Sequence, residues 1–197
     1  IGLMAARNAM ADVDLRQEGV DAMPQPLRFY ASDQVHNCHL KAMNLLGLGK
    51  KALCKVPTDD VFRMRIGALK DMIRADRESG VRPACVIATA GTTNTGSIDD
   101  LTAIADLCRD EGLWLHIDGC IGAMIAIAPQ NRHLVAGLER ADSLALDLHK
   151  GFQAPFDVGC ALLRDRRQHR QTFAEHAEYL QTMPRGNAVG SSAPYQR

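Results

Sequence analysis

Apolar residues are distributed along this chain in two alternating patterns. Short, nearly continuous runs at 27–31, 52–56, 84–89, 113–117, 143–146 and 160–163 have the length of buried strands. Between them, apolar positions recur every three or four residues over longer stretches, as they do on one face of a helix. Short runs alternating with amphipathic stretches predict an α/β domain whose mostly parallel sheet is flanked by helices. The clearest helix lies between the third and fourth runs. Ser97 and Asp100 suit a capping box, Leu101, Ile104, Ala105 and Cys108 form one apolar face, and Gly112 is placed to end it. The connection from Asp147 to Gly159 is too short for a crossover helix with its turns, so the last strand is expected to run antiparallel.

The two ends of the chain differ from its middle. Ile1 to Arg7 already has a helical pattern with no capping residue before it, so the sequence is expected to begin inside a helix. Residues 184–194, rich in Gly, Ser and Pro, read as a loop. No internal repeat or low-complexity segment interrupts the pattern.

Composition narrows the function classes. The 197 residues are 46% hydrophobic and 23% charged, an ordinary globular balance. Lys+Arg and Asp+Glu are equal at 23 each, so no global field recruits nucleic acid or an anionic membrane. No apolar run approaches the roughly 20 residues that span a bilayer, and the start lacks a signal-peptide order. A cytoplasmic protein is expected. The six cysteines contain no C-x-x-C pair and are expected to be reduced.

The candidate chemistry sits at strand ends, where parallel sheets bind ligands. Asp118 closes the fourth apolar run and Lys150 follows the fifth, beside His149. A lysine whose pKa is lowered by its site forms an imine with a carbonyl cofactor. An anion beside the ring nitrogen keeps such a cofactor protonated and electron-poor. Asp118 and Lys150 together are a pair that can hold pyridoxal phosphate. His36-x-x-His39 with Cys38 between them is a possible zinc set, but no second ligand pair lies at finger-like spacing, and no metal is expected.

Five strings occur in order: Tyr30-Ala31-Ser32-Asp33-Gln34-Val35-His36, Ala88 through Gly96 with Gly91-Thr92-Thr93, His116-Ile117-Asp118-Gly119, Ala141-Asp142-Ser143 with His149-Lys150, and Phe156-Asp157-Val158-Gly159-Cys160. In these the chain resembles the group II pyridoxal-phosphate amino acid decarboxylases, most of all the aromatic-L-amino-acid type. The resemblance implies the large domain of a fold type I pyridoxal-phosphate enzyme, incomplete at both ends. Residues 1–172 would form the partial cofactor-binding domain, and 173–197 a mobile catalytic loop and polar tail. On this resemblance, the family's phosphate-binding turn would precede residue 1 and its small C-terminal domain would follow residue 197.

The resemblance also implies roles. Lys150 would hold pyridoxal phosphate, Asp118 its ring nitrogen, and His36 would stack on the ring. Thr93, His149 and Cys120 would lie near the cofactor. Tyr179, matched by its spacing from Lys150, would return the final proton. The implied reaction is decarboxylation of an L-amino acid, aromatic by preference, to the amine and carbon dioxide, with the complete protein a homodimer. Gly119-Cys120-Ile121 and Gly151-Phe152 depart from the family pattern and bear on pocket shape rather than reaction class. Three other readings stay open: a related pyridoxal-phosphate enzyme (aldehyde synthase, aminotransferase or carbon–carbon lyase), a nucleotide-binding α/β protein, and an inactive fragment. The second lacks a Gly-rich phosphate turn such as G-x-G-x-x-G.

Overall fold

The computed structural model describes residues 1–174. Six strands form one sheet: β1 (Leu27–Ser32), β2 (Leu53–Val56), β3 (Arg82–Thr89), β4 (Trp114–Asp118), β5 (Ser143–Asp147) and β6 (Gly159–Leu163). Their spatial order is β2-β1-β3-β4-β5-β6. All neighbours are parallel except β6, which returns antiparallel beside β5. Each expected strand is present within a residue or two, and the short return from β5 forces the reversal anticipated for β6. Among the described residues no helix is long and apolar enough to cross a membrane.

Helices cover both faces: α1 (Gly2–Met10), the single turn α2 (Leu15–Glu18), α3 (Cys38–Leu45), α4 (Ile66–Glu78), α5 (Leu101–Glu111) and α6 (Arg166–Phe173). Because strand side chains alternate, each strand feeds two cores. On one face Tyr30, Val86, Ala88, Leu115 and Ile117 pack with Leu69 and Ile73 of α4 and Leu101, Ile104 and Cys108 of α5. On the other, Phe29, Ala31, Cys85, Ile87 and Trp114 pack with Leu3, Ala5 and Ala6 of α1 and Met43 of α3.

Two local expectations are corrected. The cap of α5 is Asp100, whose carboxylate accepts the Ala103 N–H at 3.0 Å, rather than Ser97. Ser97 instead donates its hydroxyl to the Val61 carbonyl at 2.7 Å, because the chain from β3 is still turning there. Gly112 ends α5 in the left-handed conformation, as its position suggested. The crossover from β4 to β5 contains three short 3-10 segments (Gly122–Ile127, Arg132–Val135, Leu138–Arg140) in place of an amphipathic helix, since Gly122, Pro129 and Gly137 interrupt it.

Asp99 ties the carboxyl end of β3 to the chain before α4. Its two oxygens accept the buried N–H groups of Met64 (2.7 Å) and Thr89 (2.8 Å). Asp99→Ala would leave both donors without an acceptor, at a cost of about 2–4 kcal/mol. Urea unfolding should show that loss, and a smaller one for Asp99→Asn, which keeps one acceptor oxygen. Equal midpoints for wild type and Asp99→Ala would contradict the assignment.

Candidate active site

Strand periodicity sets the orientation of the site. Trp114, His116 and Asp118 are spaced two apart on β4, so all three face α1 and α3, while Leu115 and Ile117 face α4 and α5. Asp118 is the last residue of β4, only 8% exposed, and pairs laterally with Thr89 of β3 and Ala145 of β5. The strand tips are laced together by backbone bonds from Ala90 N to Asp118 O (2.8 Å) and from Gly119 N to Ala145 O (2.9 Å).

The partner of the buried carboxylate is a residue considered in the sequence only as a zinc ligand. His39, in the first turn of α3 and 4% exposed, places Nε2 2.8 Å from Asp118 Oδ2. The other oxygen, Oδ1, accepts the Cys120 N–H at 3.2 Å. Burial would raise the Asp118 carboxyl, but the hydrogen bond and charge of His39, followed by Cys120, hold it well below the usual range. Burial would likewise depress the His39 ring, yet Asp118 and Cys38 outweigh it and raise its pKa to about 9. Cys38, His39 and Asp118 have donor atoms within 4.8 Å of one another, the one such group among the described residues.

Behind this pair lies a second layer. The Trp114 indole N–H donates to Ser143 Oγ at 2.8 Å, and that hydroxyl also bonds His116 Nδ1 at 2.8 Å. The His116 ring meets His39 edge-on at 6.0 Å between centroids. Burial, with the nearby His39 charge, lowers the His116 pKa to about 3, so His116 stays neutral. Gly2 of α1 packs directly on it: a Cβ there would stand 2.7 Å from His116 Cε1. The close approach of that helix closes the layer from below.

Lys150 lies in the turn after β5 and is exposed. Its Nζ is 2.8 Å from Asp147 Oδ2. Burial lowers its pKa, but the Asp147 bond and charge, then Cys120 and Asp118, raise it overall. The depressed pKa expected of a nucleophilic lysine is therefore absent in this state. Lys150, Asp118 and Cys120 lie close enough to perturb one another's charge, which joins the ends of β4 and β5 into one site. Burial, then the Asp118 charge, drives the Cys120 thiol strongly upward, so it is a neutral wall.

The remaining candidates surround these groups less closely. His36 is exposed just before α3, with Nδ1 accepting the Cys38 N–H at 3.3 Å. Gly91 turns the chain after β3 at φ +91°, and a side chain there would press on Ile121 and Gly122 at 3.2–3.3 Å. This turn buries Thr92 and leaves Thr93 exposed. His149 Nδ1 accepts the Val158 N–H at 3.0 Å, and its ring packs edge-on against Phe156 at 4.8 Å. Tyr179 and most of the segment 173–197 lie outside the described residues.

Three residues of the site were not given these places from the sequence. His39 carried a weak signal in the H-x-x-H spacing, and Asp147 one in its i, i+3 relation to Lys150. Thr89 carried none: its hydroxyl is buried on the Asp118 face and finds no hydrogen-bond partner among the described residues.

These groups fit pyridoxal phosphate. An ionised carboxylate with one lightly engaged oxygen suits a ring N–H, a primary amine in the turn after the adjacent strand suits an aldehyde, and the unpartnered Thr89 hydroxyl lies beside the carboxylate. The likeness to known proteins points the same way. A family model described as the pyridoxal-dependent decarboxylase conserved domain matches residues 1–191. An aromatic-L-amino-acid decarboxylase of Bacillus atrophaeus is 44% identical over 151 residues, 77% of this chain and 32% of that protein. A cysteine sulfinic acid decarboxylase of Rattus norvegicus is 38% identical over 152 residues, 77% of this chain and 31% of that protein. The crystal structure of an Oryza sativa TDC with PLP and tryptamine superposes at a TM-score of 0.83 with 29% identity, covering 97% of this chain and 39% of that one. The chain thus spans about a third of the length of the curated relatives it matches.

The His39–Asp118 pair has a defined pH window. His39 is raised in the folded state, so its contribution is complete below the unfolded value of about 6.5 and is lost as pH rises through about 9. Asp118 is depressed, so its contribution is complete above about 4 and fades below that. The unfolding free-energy difference between wild type and His39→Gln should be greatest between about pH 4 and 6.5, on the order of 3 kcal/mol. It should shrink towards pH 9, and a pH-independent difference would show that His39 is not charged in the pair.

Proposed function

The chain belongs to the pyridoxal-dependent decarboxylase family, and from that premise we propose that the full-length protein decarboxylates an L-amino acid. The products are the amine and carbon dioxide, and pyridoxal phosphate is the resident cofactor. An aromatic side chain on the substrate is favoured by the 44% identity to an aromatic-L-amino-acid decarboxylase. The observation that carries the reading is the joining of an ionised Asp118 and the Lys150 amine at the ends of β4 and β5.

When bound, pyridoxal phosphate supplies an electron sink conjugated to the substrate α-carbon. Asp118 would hold the ring nitrogen and keep a proton there. Lys150 would be the amine that holds the cofactor's aldehyde, for which it must lose a proton. Asp147 Oδ2, 2.8 Å from Nζ, is the acceptor within reach. Until then the ion pair stores Lys150 as ammonium, at a fixed place beside the strand end. His36 would cover the ring face, with Thr93 and His149 at its margins and Cys120 as the uncharged wall beside Asp118. The Tyr179 phenol, neutral at pH 7 by its ordinary pKa of about 10, would return a proton to the α-carbon. Assembly as a homodimer belongs to the same proposal.

Borohydride reduction of the cofactor-loaded full-length protein should label Lys150 on peptide mapping, and an aromatic amino acid should yield its amine with stoichiometric carbon dioxide. A label on another lysine would refute the site, and release of the keto acid in place of the amine would refute the reaction. Asp118→Ala should reduce turnover by about ten- to a thousandfold, the equivalent of a one- to three-unit fall in ring-nitrogen pKa. Asp118→Glu should retain more, and equal activities would remove the charge from the mechanism.

A further inference from the structure

A buried carboxylate needs donors that ordinary strand-end backbone does not supply. Asp118 receives one backbone N–H, from Cys120 at 3.2 Å, and this goes to Oδ1 alone. Its single ion-pair partner among the described residues, His39, takes Oδ2 at 2.8 Å. The two side chains are 6% and 10% exposed, so water does not screen the contact. His39 is itself fixed from two sides: its backbone N–H bonds the His36 carbonyl at 3.2 Å, and its ring meets His116 edge-on. His116 is in turn held by Ser143 and backed by Gly2 of α1.

The geometry points to His39 as a positioning residue that orients the Asp118 carboxylate and keeps the proton shared between Asp118 and the cofactor on the ring nitrogen. This rests on the cofactor reading above. In a carboxylate–pyridine contact the proton sits on whichever group binds it more strongly, and burial strengthens the carboxylate's hold. A lone Asp118 in this dry position would draw the proton to itself and leave the ring neutral. A donor on Oδ2 weakens that hold and stabilises the anion, so the proton resides on nitrogen. The same bond fixes the carboxylate plane, leaving Oδ1, whose backbone donor is the long 3.2 Å Cys120 N–H contact, turned to meet the ring.

The groups facing the pair are accounted for. His116 stays neutral and adds no competing charge. Burial opposes ionisation of Cys38, but His39 and then His36 draw its thiol below its ordinary value, so it reinforces the charge on His39. Cys120 is neutral and its side chain adds a smaller stabilisation of the Asp118 anion, while Lys150 is engaged by Asp147. His39 supplies the largest stabilisation of that anion and is placed to set where the proton lies, although it need not touch the cofactor.

The test uses the full-length protein loaded with pyridoxal phosphate carrying ¹⁵N in the ring. Wild type should show the ring-nitrogen chemical shift of a protonated pyridine. His39→Leu, which removes both donor and charge, should move the shift most of the way to the neutral value at equal cofactor occupancy. His39→Gln keeps a neutral donor and should fall between them, a partial rescue that loss of packing alone would not produce. An unchanged shift in His39→Leu overturns the role. If that variant holds no cofactor, an unchanged shift in His39→Gln overturns it. A wild-type protein that binds cofactor with a neutral ring overturns this inference alone, whereas failure to bind cofactor overturns the functional reading with it.

Discussion

An anion removed from water at the tip of β4 is the constraint on which the rest of this structure depends. Burial by itself would protonate Asp118, and a neutral acid could not hold a positive ring nitrogen. The fold offsets that tendency with a histidine brought in from α3, a backbone N–H from the following turn, and a sheet register that fixes the strand tip between Thr89 and Ala145. The close seat of α1 on His116 keeps the layer beneath dry, so the pair interacts at short range and little screened. Replacing such a pair with apolar groups would often cost nothing in stability. Its presence is better explained by the role proposed for the carboxylate.

The two faces of the sheet divide the work. The face covered by α4 and α5 is an apolar core, and its buried carboxylate, Asp99, serves only to pair backbone N–H groups at the end of β3. The face covered by α1 and α3 has an apolar base in Phe29, Ala31 and Ile87, then a polar line from Trp114 through Ser143 and His116 to His39 and Asp118. A strand can supply both because its side chains alternate, which lets β4 contribute Leu115 and Ile117 to one core and the working groups to the other.

The antiparallel return of β6 gives Lys150 its place. The turn between β5 and β6 is pinned by Leu148 N to Val158 O and Ala154 N to Leu148 O, both 2.9 Å, with His149 bonded to Val158 as well. A turn held at its base presents Lys150 beside the end of β4 while leaving its amine open to a ligand. Asp147 keeps that amine charged in the free state, so the positive and negative groups of the site balance before any ligand arrives.

Local pattern was enough to settle much of this protein. The alternation of short apolar runs and amphipathic stretches located six strands, and the short link before Gly159 required a reversed last strand, because both follow from chain geometry over a few residues. Asp118 and Lys150 were legible as strand-end groups for the same reason, and the five ordered strings identified the family. The partners of those groups were not legible. His39 and Asp118 are 79 positions apart, and only the β3–β4 register and the seat of α3 put them in contact. Asp147 carried no assigned role in the sequence, and the turn after β5 is what folds Lys150 back onto it. Asp100 displaced Ser97 as the cap of α5 because the approach of the 61–64 segment claimed the serine hydroxyl. Sequence determined which residues stand at strand ends, since that depends on local periodicity. Tertiary structure alone decided that His39 meets Asp118 there, since burial and contact between remote segments set the charge state of that pair.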